Sequence, residues 1–319
     1  MLSGVGFALA AGLMWGLVFV GPLLLPEYPA ALQSFGRYLA FGLIALPLAW
    51  LDRTELKTLT RADWLESLKL SAVGNVLYYL CLASAIQRSG APLPTMIIGT
   101  LPVIIAVTAN YLNHERDGRL PWRRLAPAIA LILLGIVCVN HAEWEVLSSD
   151  PDTDFGRYLL GAILAFGAVL CWTWYPIRNG NWLRAHPGRN PRAWATAQGV
   201  TTLPLALLGY TVFWVYTALR GDTFAMPFGP RPLEFIALMV AIGLFASWLG
   251  TLCWNEASQR LPTALAGQLI VFETLAALAY AFALRGQWPA PVTAIGIALL
   301  IAGVVLAVRI KPVAHELAH

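Results

Sequence analysis

Apolar residues in this chain run in long blocks, interrupted at nearly regular intervals by short polar connections. Crossing about 30 Å of hydrocarbon at 1.5 Å per residue takes about 20 apolar residues. Ten windows of roughly that length carry at most one charge each: 4–25, 28–51, 70–87, 89–113, 125–142, 158–177, 193–219, 235–255, 261–284 and 286–308. The pattern predicts ten membrane-spanning helices with little room for a separate soluble domain. Only the second and ninth windows hold an ionisable residue in their interior, Arg37 and Glu273. The longest connection, HAEWEVLSSDPDTDFG from His141 to Gly156, is acidic and rich in turn formers.

Composition agrees with this pattern. Of 319 residues, 58% are hydrophobic and only 12% are charged, a balance that cannot clothe a globule in polar groups. A soluble enzyme is excluded. The net charge of +4 comes without a basic run interleaved with aromatics, so no nucleic-acid partner is expected. The first 26 residues carry no charged side chain and read as a retained first span, since the basic start of a secretory signal is missing.

Lysines and arginines report orientation, because loops on the cytoplasmic side are enriched in them. With the N-terminus inside, 15 of the 21 fall in cytoplasmic segments and five (Arg88, Arg157, Arg220, Arg231 and Arg285) fall outside. Arg37 completes the set from within the bilayer. Both termini are therefore expected in the cytoplasm, with the acidic connection outside.

The chain also resembles itself. LYYLCLASAIQRSGAPLPTMIIGTLP in the third span and its exit matches LGTLCWNEASQRLPTALAGQLIVFET in the eighth. Cys81 aligns with Cys253, Gln87 with Gln259 and Arg88 with Arg260, each 172 residues apart. Two five-span units follow: 1–142, a linker over 143–157, and 158–319. Five is odd, so the second unit enters the membrane in the opposite sense. Inverted repeats of this kind build secondary transporters whose site lies between the halves near the midplane.

Several chemistries lack their parts. No phosphate-cradling GxxxxGK[ST] loop occurs, nor HExxH, nor a G-x-S-x-G elbow. The five histidines lie in loops or the tail, and Cys81, Cys138, Cys171 and Cys253 lie in apolar stretches as ordinary buried thiols. No metal site, no cofactor and no enzymatic activity is expected.

Intramembrane charge is costly, which singles out Arg37 and Glu273. Each sits about 15–20 Å of helix from the nearest end of its span, near mid-depth. They either flank a pathway or lock helices together. On the pathway, Glu273 would exchange a proton or meet a substrate ammonium, and Arg37 would meet a carboxylate or hold Glu273. The polar and aromatic residues of the deeper spans complete the expected substrate site: Trp15, Tyr78, Tyr79, Met96, Trp172, Trp174, Tyr175, Trp254, Asn255 and Gln268. For each, plain packing is the competing reading, and many of the thirteen tryptophans suit the membrane interface instead. The fourth span, with Pro92, Pro94, Gly99 and Pro102, must interrupt its hydrogen-bond ladder.

The FGRYLAFGL segment around Arg37 and the fourth span running from Pro102 to Glu115 resemble the drug/metabolite transporter superfamily, EamA-like branch. The likeness extends over nearly the whole chain. YYLCLASAIQRSGAP and TMIIGTLPVI are similar to the aromatic-amino-acid exporters of that branch, the YddG-like proteins. The resemblance implies an all-α polytopic membrane protein with ten transmembrane helices, two inverted five-helix repeats and a central cavity. It also implies a secondary transporter in the inner membrane that exports aromatic and other neutral amino acids by alternating access. Its partners would be that small-molecule substrate and the bilayer, and it would act as a monomer. Export of another metabolite or a cationic drug is the alternative, and a membrane enzyme on a lipid-linked substrate is the alternative from another class. The second half departs from the pattern: Gly286 or Gln287 stands where Glu115 has its counterpart, and span seven has no arginine equivalent to Arg37.

Overall fold

The computed structural model describes residues 2–89, 94, 97–112, 120–139, 141, 155–286 and 288–310; Met96 and Glu115 lie outside them. Every regular element among the described residues is helical. In chain order the helices are α1 (Leu2–Gly16), α2 (Val20–Leu24), α3 (Ala30–Leu51), α4 (Arg53–Leu56), α5 (Arg61–Leu70), α6 (Tyr78–Ser89), α7 (Leu101–Leu112), α8 (Trp122–Val139) and α9 (Phe155–Ala185). They continue as α10 (Pro191–Arg220), α11 (Pro232–Ile242), α12 (Gly250–Arg260), α13 (Thr263–Leu269), α14 (Val271–Arg285) and α15 (Pro291–Val308). Two π-helical stretches, Ser71–Leu77 and Gly243–Leu249, join α5 to α6 and α11 to α12.

Local chemistry accounts for the ends. α5 starts at a reciprocal capping box: Thr60 Oγ1 accepts from the Asp63 backbone N–H and the Asp63 carboxylate accepts from the Thr60 backbone. α10 starts where the Asn190 side chain accepts from the Arg192 N–H, with Pro191 in the first turn, where its missing N–H costs nothing. It ends at Gly221, whose φ of 69° a side chain would resist.

The surface is apolar and the interior holds many polar groups, the reverse of a water-soluble bundle. Leu43, Trp50, Leu134, Val137, Leu208 and Leu219 are exposed, whereas Ser71, Asn179, Thr196, Thr202, Asn255 and Gln268 are fully buried. Water would reject that exterior and lipid tails accept it. Six helical segments are long and apolar enough to cross a membrane: Ala30–Leu51, Trp122–Val139, Gly156–Ala185, Pro191–Arg220, Pro232–Arg260 and Thr263–Leu284. Leu2–Gly16, Leu101–Leu112 and Pro291–Ala307 are shorter apolar helices. The molecule is an all-helical, multi-pass membrane protein.

Helices from the first part of the chain pack chiefly on helices from the second. α3 lies along α10, α6 along α9, α7 against α13 and α8 along α15, while α1 rests on α12 and α14. Small residues set the closest of these approaches. A Cβ on Gly12 would stand 3.0 Å from the Glu273 backbone nitrogen and one on Gly16 2.7 Å from the Ala276 Cβ, so this GxxxG stripe lets the α1 backbone touch α14.

Candidate functional site

Five aromatic side chains from four helices meet in the interior. Trp15 (α1) contacts Trp172 (α9) edge-on at 5.2 Å and Trp254 (α12) at 5.3 Å. Trp172 also meets Tyr78 (α6) at 5.7 Å and Tyr175 (α9) at 5.6 Å. These separations and tilts are those that aromatic quadrupoles favour. Trp15 and Tyr175 are buried, but Tyr78 and Trp172 keep accessible surface. Tyr79 and Glu273 are likewise partly accessible.

Arg37 and Glu273 approach this cluster from α3 and α14. Arg37 donates to the Tyr38 hydroxyl and its guanidinium lies 4.3 Å from the Tyr38 ring centroid. Glu273 acts on Arg37 and Tyr78 through space. It occupies the first turn of α14, immediately after a helix break at Ile270, and its backbone N–H donates to the Ile270 carbonyl at 2.9 Å. A turn at Gly99–Thr100 interrupts the chain just before α7 in the same way. Its prolines made that first interruption legible; the one at Ile270 has no such marker.

The other expected site residues divide by surroundings. Asn255 is fully buried and occupied: its Oδ1 accepts from Asn179 Nδ2 at 2.9 Å and its Nδ2 donates to the Pro191 carbonyl at 3.2 Å. The chain of bonds continues, since Asn179 Oδ1 accepts from Trp194 Nε1 at 2.8 Å and from Gln198 Nε2 at 3.1 Å, and Gln198 Oε1 accepts from Tyr175 at 2.8 Å. This network ties α9, α10 and α12 together, and Tyr175 joins it to the aromatic cluster. Gln268 is fully buried with neither amide atom hydrogen-bonded. Trp174 packs against the core outside the aromatic group, and Tyr79 lines a cleft with Arg37.

Sequence reasoning missed a second polar region where α5 meets α9. A cavity of about 410 Å³ there is lined by Asp63, Glu66, Arg178, Asn181, Trp182, His186 and Arg189 among others. Arg178 grips Glu66 through two bonds of 2.5 and 3.0 Å, and Trp182 Nε1 donates to Asp63 at 3.0 Å. Burial pushes the Asp63 carboxyl up, but bonds from the Thr60 backbone, the Thr60 hydroxyl and Trp182, with His186 nearby, outweigh it and hold it below the usual range. Arg178 and Arg189 had registered only as orientation signals; carboxylates spaced three apart at one span's start, opposite arginines at another's end, were the available clue.

A multi-pass helical protein that gathers aromatic and ionisable side chains in its interior has the parts a membrane transporter needs. Residues 2–141 match the EamA-like transporter family. The chain is 59% identical over 312 residues to "Inner membrane protein YtfF" of Escherichia coli (strain K12), covering 98% of this chain and 97% of that one. It is 21% identical over 263 residues to "Uncharacterized transporter YetK" of Bacillus subtilis (strain 168), covering 82% and 73% respectively. A solved crystal structure shares the fold, with a TM-score of 0.73 at 15% identity over 96% of both chains. The chain belongs to the EamA-like transporter family, within the drug/metabolite transporter superfamily.

Proposed function

We propose that this protein exports aromatic and other neutral amino acids across the inner membrane by alternating access. The observation that carries the reading is the cluster of Trp15, Tyr78, Trp172 and Tyr175, two of them partly accessible, with Arg37 and Glu273 on the adjoining helices α3 and α14. Burying an aromatic ring among such partners contributes about 2–3 kcal/mol, enough to set preference among amino acids. Arg37 and Glu273 supply opposite charges for a zwitterion. The substrate site comprises Tyr78, Tyr79 and Trp172 as accessible walls, with Trp15, Tyr175 and Trp254 behind them. Asn255 positions α12 and α9, and Gln268, Trp174 and Met96 complete the lining. The subgroup is that of the YddG-like exporters.

The architecture we propose has ten spans in two inverted five-span repeats, 1–142 and 158–319, joined by 143–157, with both termini cytoplasmic and the monomer as the working unit. Three observations support it. The two π-helical stretches are 172 residues apart, the same offset as Cys81 and Cys253. Irregular turns at Thr100 and Ile270 precede α7 and α14, at nearly that offset. The helix pairing also fits an exchange of the halves: α3 with α10 and α8 with α15 map onto themselves, and α1 with α12 maps onto α9 with α6. Interrupted helices at matching positions of two halves point to the transport site.

Counterflow tests the function. Proteoliposomes loaded with unlabelled metabolites are given labelled phenylalanine or tryptophan; aromatic and neutral amino acids inside should accelerate uptake, and sugars or nucleotides should not. No acceleration by any amino acid in folded protein would end this assignment. Glu273, accessible and in a helix N-terminal turn, favours a cationic compound as the second reading, which would show as stimulation by amines lacking a carboxylate.

A further inference from the structure

The polar cavity where α5 meets α9 lies on the same helix face as the aromatic cluster. On α9, Trp172, Tyr175, Arg178 and Trp182 follow one another at spacings of three, three and four residues, so one stripe runs from the ring cluster into the cavity. Along it, Arg178 stands about 4.5 Å and Trp182 about 10.5 Å of helix beyond Tyr175. The opposing wall is equally continuous. α5, with Asp63 and Glu66, passes through Ser71–Leu77 into α6, with Tyr78, and all three stretches pack on α9.

The cavity's volume, about 410 Å³, falls within the range of small-molecule pockets. Its wall carries two guanidiniums and two carboxylates, charges that cancel as do those of an amino-acid zwitterion. Arg178 spends Nε and Nη2 on Glu66 while its side chain is half exposed, which leaves Nη1 for a carboxylate. Each Glu66 oxygen accepts one bond from Arg178 and keeps a lone pair for an ammonium. Trp182, stacked on Trp194 at 3.5 Å and on His186 at 4.6 Å, adds a flat apolar surface. In the proposed topology the start of α5 and the end of α9 face the cytoplasm, the side from which an exporter loads.

Tyr175 stands between cavity and cluster. It is 4% exposed, its ring centroid lies 5.6 Å from that of Trp172, and a Cβ on Gly74 of the opposing wall would overlap its ring. No substrate side chain passes that contact while the ring is seated. Its hydroxyl donates to Gln198 Oε1 at 2.8 Å, and Gln198 leads through Asn179 to Trp194, which stacks on Trp182 of the cavity.

We infer that this cavity is the loading vestibule for the transported zwitterion and that Tyr175, seated on Gly74, is the plug between it and the ring cluster. The inference rests on the amino-acid export reading above and adds the route by which substrate enters. Arg178 takes the carboxylate, Glu66 takes the ammonium, and withdrawal of the Tyr175 ring admits the substrate side chain to Trp172 and Tyr78.

The test is the rate at which a charged, membrane-impermeant thiol reagent modifies single cysteines from the cytoplasmic face of inside-out membrane vesicles, in full-length protein with Cys81, Cys138, Cys171 and Cys253 replaced. Ala62→Cys, on the cavity wall, should react readily; phenylalanine should slow it and glucose should not. Arg178→Lys, which loses the paired donors, should weaken that protection about tenfold. Tyr78→Cys, in the ring cluster, should react slowly and be accelerated about fivefold by Tyr175→Phe, which keeps the ring and removes one hydrogen bond. Tyr175→Ala should accelerate it further, and if that variant does not fold, Tyr175→Phe decides alone. An Ala62→Cys rate indifferent to phenylalanine in protein that exchanges it, or no reaction from that face, would overturn the vestibule while leaving aromatic transport intact. A Tyr78→Cys rate unchanged by Tyr175→Phe would overturn the plug. If the protein exchanges no amino acid in counterflow, the export reading fails, and the Tyr175 comparison, which needs no substrate, still decides whether the cavity leads to the cluster.

Discussion

The run from Arg61 to Ser89 and the run from Pro232 to Arg260 are built alike and anchored differently. Each begins with an α-helix of ten or eleven residues, passes through seven π-helical residues and finishes as an α-helix. A π-helical stretch widens the helix locally and is common where side chains must be re-aimed at functional sites. In the first run, polar bonds hold it: Ser71 Oγ donates to the Gln198 carbonyl at 3.0 Å and lies 2.9 Å from Thr201 Oγ1, while Asn75 Nδ2 donates to Thr202 Oγ1 at 3.1 Å. In the second, the stretch lies flush on α3 through Gly243, a single side-chain bond runs from Trp248 Nε1 to Thr196 Oγ1 of α10 at 3.2 Å, and Ser247 Oγ is buried without a partner. The entrances differ too. The first run starts at the capping box with Asp63 and Glu66 bonded to α9, and the second starts at Pro232, after Arg231, which binds Glu27 and Glu234 at 2.7 and 2.6 Å. The two runs thus share one geometry with different fastening, and in the proposed inverted topology the two entrances lie at opposite membrane faces.

The largest expected effect comes from filling the glycines. A Cβ on Gly74 would lie 2.3 Å from the Tyr175 ring and 3.0 Å from its Cβ, and one on Gly243 would lie 3.0 Å from the Phe41 backbone nitrogen. Overpacking of this kind costs about 1–3 kcal/mol. Gly74→Ala should sit at or above the upper end and Gly243→Ala near the middle at about 2 kcal/mol, both read as a fall in Tm in detergent. A smaller loss for Gly74→Ala than for Gly243→Ala would reverse the ranking.

Hydroxyl deletions come next. Ser71→Ala removes two bonds and should cost about 1 kcal/mol, whereas Ser247→Ala relieves an unpaired hydroxyl and should leave Tm unchanged or raised. Equal losses in the two would erase the distinction between the bonded and the flush-packed stretch.

Much of this symmetry was legible, and its cause was not. Cys81 and Cys253 carry the 172-residue offset in plain letters. The π-helical stretches share it invisibly, because an added residue per turn leaves apolar composition unchanged in a span that is apolar on most faces. Arg37 and Glu273 stood out because charge is rare in lipid. Asn255 was legible as a deep polar residue, but its partners Asn179 and Gln198 come from other helices, and no local spacing announces such a meeting. The six clearly long apolar segments also leave out the shorter α1, α7 and α15, which are interrupted or brief.

The smallest effect concerns acid. Asp63 has its carboxyl held below the ordinary value of 3.8, so its contribution to folding is complete above that value and is lost as pH falls through its lower folded value. Between pH 7 and 5, Asp63→Asn and the parent should keep a constant difference in Tm, and below pH 3.8 that difference should shrink. A gap that widens with acid would contradict the sign.

The central claim is that the two entrances open in opposition, and paired spin-label distances test it directly. In a variant with Cys81, Cys138, Cys171 and Cys253 replaced, one label pair at Ala62 and Ala185 spans the entrance of the first run, and another at Leu24 and Leu233 spans that of the second. Adding phenylalanine should lengthen one distance and shorten the other in protein that retains counterflow. Distances that change in the same sense, or that stay fixed while exchange continues, would contradict alternating access.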